Sequence, residues 1–332
     1  MVLNKDELKS EIDRLKKKHK VTIVAHFYQR DEVFEMADYS GDSLQLAQLA
    51  RDDENPFLIF CGVGFMGESV KILSPQKRVL MPKIACCAMA RMIDKPYYLE
   101  NVEILEKSGV KKEDILPITY INSSAEVKAE VGKMGGMVCT SSNAKKIIEK
   151  GLKSGKKILF VPDKQLGQNV ALMMGLKSCV IGEDCDPKEA DIICYNGFCS
   201  VHQLFEVSDI EFYRKKYPGI KIITHPECPP EVCQASDFVG STSQIIKYIK
   251  ELPKEQKVAV GTEFNLVNRL RKENTFVLSS TKPECPTMNE TTLEDLYNTL
   301  VAIDEDKIVT EIQVDEDVAK WAKIALDRMF EF

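Results

Sequence analysis

The sequence predicts an α/β protein of three similar three-layer domains, each on a short parallel sheet, in pseudo-threefold arrangement around one central active site. Three observations carry that expectation. A segment recurs at fixed offsets, strands alternate with helices inside each copy, and polar residues return at the ends of equivalent strands. Shifting segment 23–28 by 199 residues reaches 222–227, with His26 falling on His225. The register then holds without a gap: Glu32 and Val33 fall on Glu231 and Val232, Asp38 on Asp237, Tyr39 on Phe238, Gly41 on Gly240 and Ser43 on Thr242. A third copy lies at an offset of 94, where Glu32 and Val33 fall on Glu126 and Val127, His26 on Tyr120 and Tyr28 on Asn122. There Ser43 reaches Ser141 once four extra residues around Gly132 to Met137 are allowed. A repeat on this scale decides the fold before any single element does.

In chain order, residues 5–18 place Leu8, Ile12 and Leu15 on one helical face. The apolar strand 21–25 follows and carries His26 and Tyr28 out at its C-terminal end. A short helix over 32–39, a turn at Gly41-Asp42-Ser43 and an amphipathic helix over 44–50 come next. Strand 57–61, a helix start over 62–69 and strand 78–81 complete the copy, shortly before Cys87. The second copy has strand 115–121, a helix from Ala125, a helix start over 140–143, strand 157–161, a helix opening over 162–169 and strand 191–194, and ends at Cys199. The third has strand 220–224, helix 244–250, strand 257–260, helix 266–271 and strand 276–278, and ends at Cys285. From strand-end residue to cysteine the spacing is 61 (26 to 87) and 60 (225 to 285), against 79 (120 to 199) in the middle copy, which carries insertions. The expected domains are 1–95, 96–205 and 206–313. A C-terminal helix over 314–332, presenting Val318, Trp321, Ile324, Ala325 and Met329, is expected to pack on the first domain beside the N-terminal helix.

Composition narrows the function. At 332 residues the chain suits two or three domains of roughly 100 residues. Hydrophobic residues at 44% and charged residues at 29% are an ordinary globular balance. A formal charge of -6 and a single basic run at Lys16 to Lys20 argue against a nucleic-acid partner. The N-terminus is too polar for a secretory signal, and no apolar run approaches the roughly 18 residues of a membrane span. A cytoplasmic protein without a membrane partner is expected.

Eleven cysteines, an odd count, speak against a disulfide framework in that compartment and for a metal centre. No paired Cys-x-x-Cys zinc motif is present, so the ligands come from far apart. Ligands of parallel α/β sheets bind beyond the carboxyl ends of the strands. Three units meeting there form rings: His26, Tyr120 and His225; Tyr28, Asn122 and Glu227; Ser43, Ser141 and Thr242; and Cys87, Cys199 and Cys285. Three thiolates fit a 4Fe-4S cluster with one open iron acting as a Lewis acid, or a three-cysteine zinc site with an open position. The oxygen-rich rings favour iron-sulfur. Hydroxyls at helix starts suit a small polyanion, and Tyr28, Tyr120, His225 and Glu227 form a proton-transfer set.

The stretches Ala25-His26-Phe27-Tyr28-Gln29, Gly41-Asp42-Ser43-Leu44, Tyr120-Ile121-Asn122-Ser123, Cys139-Thr140-Ser141-Ser142-Asn143-Ala144, Gly197-Phe198-Cys199, His225-Pro226-Glu227-Cys228-Pro229-Pro230-Glu231, Gly240-Ser241-Thr242-Ser243-Gln244 and Gly261-Thr262-Glu263-Phe264 resemble the motifs of the quinolinate synthase family, in its order. The resemblance covers nearly the whole chain. It implies three α/β domains around one site and condensation of iminoaspartate with dihydroxyacetone phosphate, with release of phosphate and water, to quinolinate for NAD biosynthesis. It implies a 4Fe-4S cluster on Cys87, Cys199 and Cys285, and substrate binding by His26, Ser43, Tyr120, Asn122, Ser141, His225, Glu227 and Thr242. Tyr28, Tyr120, His225 and Glu227 would handle protons. An aspartate oxidase or dehydrogenase would supply the imine.

Other readings stand beside these. Another iron-sulfur hydro-lyase acting on a small polycarboxylate and a redox-sensing module are the alternatives in function. Ser43, Ser141 and Thr242 also suit helix caps. Cys86 is an alternative ligand to Cys87, although the register of Ala85, Cys87, Met89 and Ala90 favours Cys87. Cys61, Cys139, Cys179, Cys185, Cys194, Cys228 and Cys233 read as small core hydrophobes. His202, three residues after Cys199, supports the metal ligand or fills the core. His19 reads as solvated.

Overall fold

The computed structural model describes residues 3–331 apart from Lys272 and Val309. Thirteen strands among the described residues form three all-parallel sheets. The first contains β1 (Val21–His26), β2 (Tyr39–Gly41), β3 (Phe57–Cys61) and β4 (Arg78–Leu80), in the order β2-β1-β3-β4. The second contains β5 (Ile115–Tyr120), β6 (Met137–Cys139), β7 (Lys157–Val161), β8 (Ser178–Val180) and β9 (Ile192–Cys194), in the order β6-β5-β7-β9-β8. The third contains β10 (Lys221–Thr224), β11 (Phe238–Val239), β12 (Val258–Gly261) and β13 (Thr275–Val277), in the order β11-β10-β12-β13. Central strands are buried along almost all of their length, as parallel strands with both faces covered must be.

The registers reproduce the sequence offsets. Val24 pairs with Tyr39 and Ile223 with Phe238, each 15 residues on, whereas Ile118 pairs with Met137, 19 residues on. The difference is the four-residue insertion. In the second sheet β9 takes the place that β4 and β13 hold in the others, and β8 is an additional outer strand. That strand and the loop after it lengthen the middle copy. The helix expected over 32–39 is only Asp31–Phe34, and Tyr39 already belongs to β2.

By compactness the chain divides into two units. One runs to Cys87 and includes Glu284–Glu316, and the other holds Ala88–Pro283 and the C-terminus from Asp317. In the first unit the helix Lys5–His19 opens on an Asn4–Glu7 capping box. Its Leu8, Ile12 and Leu15 share one core with Ile23, Ile59 and Leu293, Leu296, Leu300 and Ile303 of the helix Leu293–Asp304. Residues 284–313 therefore fold with the first sheet and not with the third domain expected over 206–313, because this helix completes an apolar face that the first copy leaves open. His19 is not simply solvated: its Nε2 lies 2.5 Å from Asp304 Oδ1. Beyond that helix, Met81 N donates to Thr310 O (3.1 Å) and Ile312 N to Val79 O (2.8 Å), so this stretch covers the edge of β4.

In the second unit the C-terminal helix Glu316–Asp327 corrects a second expectation. It packs on the flank of the second sheet, where a Cβ at Gly132 would stand 2.1 Å from Trp321 O. Arg328 Nη1 donates to Gly136 O (2.7 Å) and Asn143 Nδ2 to Met329 O (3.2 Å). The insertion in the middle copy thus makes room for a helix, since only glycine permits that approach. Among the described residues no helix is long and apolar enough to cross a membrane.

Candidate active site

Each copy holds its cysteine arm by the same backbone bond. Gly64 N donates to Ala85 O (2.8 Å), Lys164 N to Gly197 O (2.9 Å) and Phe264 N to Pro283 O (2.9 Å). Gly64, Lys164 and Phe264 are the first residues of the helices Gly64–Leu73, Lys164–Met174 and Phe264–Leu270. A helix leaves its first N–H groups without an internal partner, and here that donor grips the carbonyl two residues before Cys87, Cys199 and Cys285. The bond puts Cys87, not Cys86, in register with the other two.

The first strand of each copy ends in the polar residues the repeat selects. His26 closes β1, Tyr120 closes β5, and His225 follows directly after β10. Tyr28 N donates to His26 Nδ1 (3.2 Å) and Glu227 N to His225 Nδ1 (3.3 Å), so both imidazoles, when neutral, carry their proton on Nε2. That bond also decides how to read the 3.8 Å separation of His225 Nδ1 and Glu227 Oε1: Nδ1 is an acceptor there, and the pair is not an ion pair. Tyr28 is half-buried and stands edge-on to His26, with ring centroids 4.7 Å apart.

In the second unit a buried network surrounds Glu227. Tyr120 OH donates to Oε1 (2.5 Å), and His202 Nδ1 lies 3.0 Å from Oε2 and 3.2 Å from Cys199 Sγ. His202 Nε2 meets Thr262 Oγ1 at 3.1 Å, and its ring stacks on His225 at 4.7 Å. Asn169 Nδ2 donates to Pro226 O and Cys228 O, both at 2.8 Å, and fixes the loop that carries Glu227. Burial alone would raise the Glu227 carboxyl, but the neighbouring His202, then His225, and the hydrogen bonds from His202 and Tyr120 outweigh it and hold it below the ordinary range. Asp163 responds oppositely: burial first, then the nearby Glu227 charge, push it well up. Cys199, His202 and Glu227 also place their donor atoms within 4.8 Å of one another. A single metal ion there would have to displace the Nδ1 proton that both acceptors use.

Asn169 and Thr262 are supporting residues that sequence reading left unassigned, and His202 was read as either supporting the metal ligand or filling the core. The three-residue step from Cys199 was the one available signal, and it pointed to His202. Other matched polar positions are structural. Asp38 Oδ2 accepts from Ile23 N (2.9 Å) and Asp237 Oδ2 from Ile222 N (2.8 Å), and both pin a strand edge. Glu32 and Glu231 sit in the first turns of short helices.

The helix starts differ from the capping expectation. Asp42 caps the helix Ser43–Asp52 and Ser241 caps Thr242–Glu251, each through a capping box, so Ser43 and Thr242 are first-turn residues. Their hydroxyls are not used as caps. Ser141 lies in the turn before the helix Ala144–Leu152, whose cap position is Asn143. Asn122 is half-buried in the turn after β5.

The thiols separate into groups. Cys61, Cys139, Cys194, Cys228 and Cys233 are buried, and burial pushes the Cys61 and Cys233 thiols up to about 12. Cys86 is exposed, whereas Cys87, Cys199 and Cys285 are all partly buried. Cys179 and Cys185 form a disulfide beside β8, which corrects their reading as two core thiols. The three matched cysteines share two features, each within its own copy: the same backbone restraint on the arm and partial exposure, both of which a thiolate ligand needs. Cys199 has His202 Nδ1 at 3.2 Å from its sulfur, and Cys285 has Thr287 Oγ1 at 3.4 Å.

Residues 10–331 match the family model described as Quinolinate synthetase A protein. The chain belongs to that family. A protein named quinolinate synthase from Helicobacter pylori (strain HPAG1) is 54% identical, the match covering 98% of both chains. One of the same name from Streptomyces coelicolor is 41% identical over 93% of this chain and 84% of its own. A third, from Geobacillus kaustophilus, is 40% identical over 98% of this chain and 94% of its own. The family expectation drawn from the motifs is borne out at this level.

Proposed function

We propose that this chain is a quinolinate synthase that condenses iminoaspartate with dihydroxyacetone phosphate to quinolinate, releasing phosphate and water, in the cytoplasm. The observation that carries the reading is 54% identity to a quinolinate synthase over 98% of both chains. Cys87, Cys199 and Cys285 would hold a 4Fe-4S cluster. When bound, the cluster supplies a Lewis-acidic iron left open by three protein ligands.

The chain's own residues do the rest. His26 and His225, their Nδ1 atoms occupied by backbone amides, present Nε2–H donors suited to substrate oxygens. Ser43, Ser141 and Thr242 lie near helix starts, where free N–H groups and the positive dipole end favour carboxylate or phosphate. Asn122 adds an amide to the substrate contacts. Glu227 is ionised and already accepts from Tyr120, so the proton on Tyr120 OH can be given up or recovered as a substrate proton is moved. Tyr28 is the second phenol, placed against the first histidine. An aspartate oxidase or dehydrogenase would supply the unstable imine.

The test is anaerobic purification with iron and sulfide determination, then assay with iminoaspartate generated in place plus dihydroxyacetone phosphate. Quinolinate is expected in proportion to loaded cluster. None from fully loaded protein would overturn the proposal.

A further inference from the structure

We propose that His202 is a positioning residue: through one shared Nδ1 proton it sets the Glu227 carboxylate against Tyr120 and ties it to the Cys199 sulfur. The inference rests on the proposed synthase reading and on Cys199 as a cluster ligand, and it assigns a role that neither requires.

His202 is 1% exposed, and both of its ring nitrogens are directed to residues of the site. Nδ1 lies 3.0 Å from Glu227 Oε2 and 3.2 Å from Cys199 Sγ. A carboxylate and a thiolate are acceptors only, so the proton between them belongs to Nδ1. Nε2, 3.1 Å from the buried Thr262 Oγ1, is then free to accept that hydroxyl's proton, which fixes the tautomer. The ring is clamped between His225, with centroids 4.7 Å apart and planes 24° apart, and Phe205 at 6.1 Å. A histidine that merely filled the core would not need its donor aimed at two anions. Tyr120 donates to Oε1 and His202 Nδ1 stands 3.0 Å from Oε2, so each carboxylate oxygen faces a group that can hold it.

Two consequences separate this role from a structural one. Removing the donor leaves Glu227 misaligned, which lowers turnover more than substrate binding, by about 10- to 100-fold for a supporting partner of a metal site. It also removes a hydrogen bond to a ligating sulfur, which makes the cluster harder to reduce. The discriminating pair is His202→Asn and His202→Gln. The Asn side-chain amide overlies Nδ1 and keeps the donor, whereas the Gln amide overlies Nε2 and does not.

Each variant is loaded anaerobically beside the wild type and read for iron and sulfide content, cluster midpoint potential, and kcat and KM for dihydroxyacetone phosphate. His202→Gln is expected to load fully, show a more negative potential and lose about 10- to 100-fold in kcat with KM within about twofold. His202→Asn is expected to recover most of both losses. Equal losses in the two variants, or wild-type potential and kcat in His202→Gln, would overturn the role. Should neither variant load, Thr262→Val decides: a lower kcat at unchanged KM supports it, and no change overturns it. If the wild type makes no quinolinate, the synthase reading fails by itself, and the potentials of the two variants still judge His202.

Discussion

The cysteine arms and the strand-end pairs belong to the same repeat and behave in opposite ways. In all three copies the first amide of a helix grips the carbonyl two residues before the cysteine, at 2.8 to 2.9 Å. At the strand ends the amide bond to Nδ1 recurs in copies one and three, but the side chain two residues on is Tyr28 in one and Glu227 in the other. Copy two has Tyr120 in place of the histidine. On the proposed function, the repeat holds geometry constant where three identical ligands would be needed and lets side chains diverge where one asymmetric substrate would bind. The buried Glu227 network, with Tyr120 and His202, is the furthest point of that divergence.

The largest effect should come from breaking the constant part. Cys87→Ala, Cys199→Ala and Cys285→Ala are each expected to abolish the cluster and the activity, whereas Cys86→Ala keeps both, measured by iron content and turnover. Retention in Cys87→Ala with loss in Cys86→Ala would put the arm register off by one. Next, Glu227→Gln breaks the divergent part: the cluster should load normally while kcat falls by about 10²- to 10⁴-fold.

The arms can be tested without touching a thiol. Proline is tolerated at the first residue of a helix, so Gly64→Pro against the wild type, and Phe264→Pro against Phe264→Ala, which already lacks the ring that faces Lys282, isolate the loss of the gripping N–H. Each should cost about 1 kcal/mol in stability and lower cluster retention under mild oxidation, read by absorbance decay. The smallest expected effect concerns the two buried carboxyls of the second unit. Asp163 is raised, by burial and then by Glu227, so its contribution to stability is present below the unfolded value, about 4, and is lost as pH rises through the folded value. Asp163→Asn should therefore gain in melting temperature relative to wild type between about pH 5 and pH 8; a gap that does not change with pH would remove Asp163 from the electrostatics of Glu227.

Much of the fold was legible because central parallel strands are short, mostly apolar runs bounded by polar or turn residues, as at 21–25, 157–161 and 220–224. β2, β6 and β11 escaped because two or three residues are too few to show a period. The return of the helix Leu293–Asp304 to the first sheet escaped because it is not part of the repeat. The docking of the C-terminal helix turns on Gly132, where what matters is an absent side chain. In the site, the cysteines and strand-end residues were found by offset. Asn169 and Thr262 were not assigned, since a residue that holds another in place carries no chemical signature of its own. The odd cysteine count, in turn, could not reveal one local pair, Cys179 with Cys185.

The central claim is one equivalent cysteine from each copy at a single iron-sulfur centre. Anomalous diffraction at the iron edge from crystals grown anaerobically tests it most directly. The account predicts four irons, three of them each bonded to the sulfur of one of Cys87, Cys199 and Cys285, and the fourth lacking a protein sulfur. Iron bonded to Cys86, or to any of the buried thiols Cys61, Cys139, Cys194, Cys228 or Cys233, would contradict it.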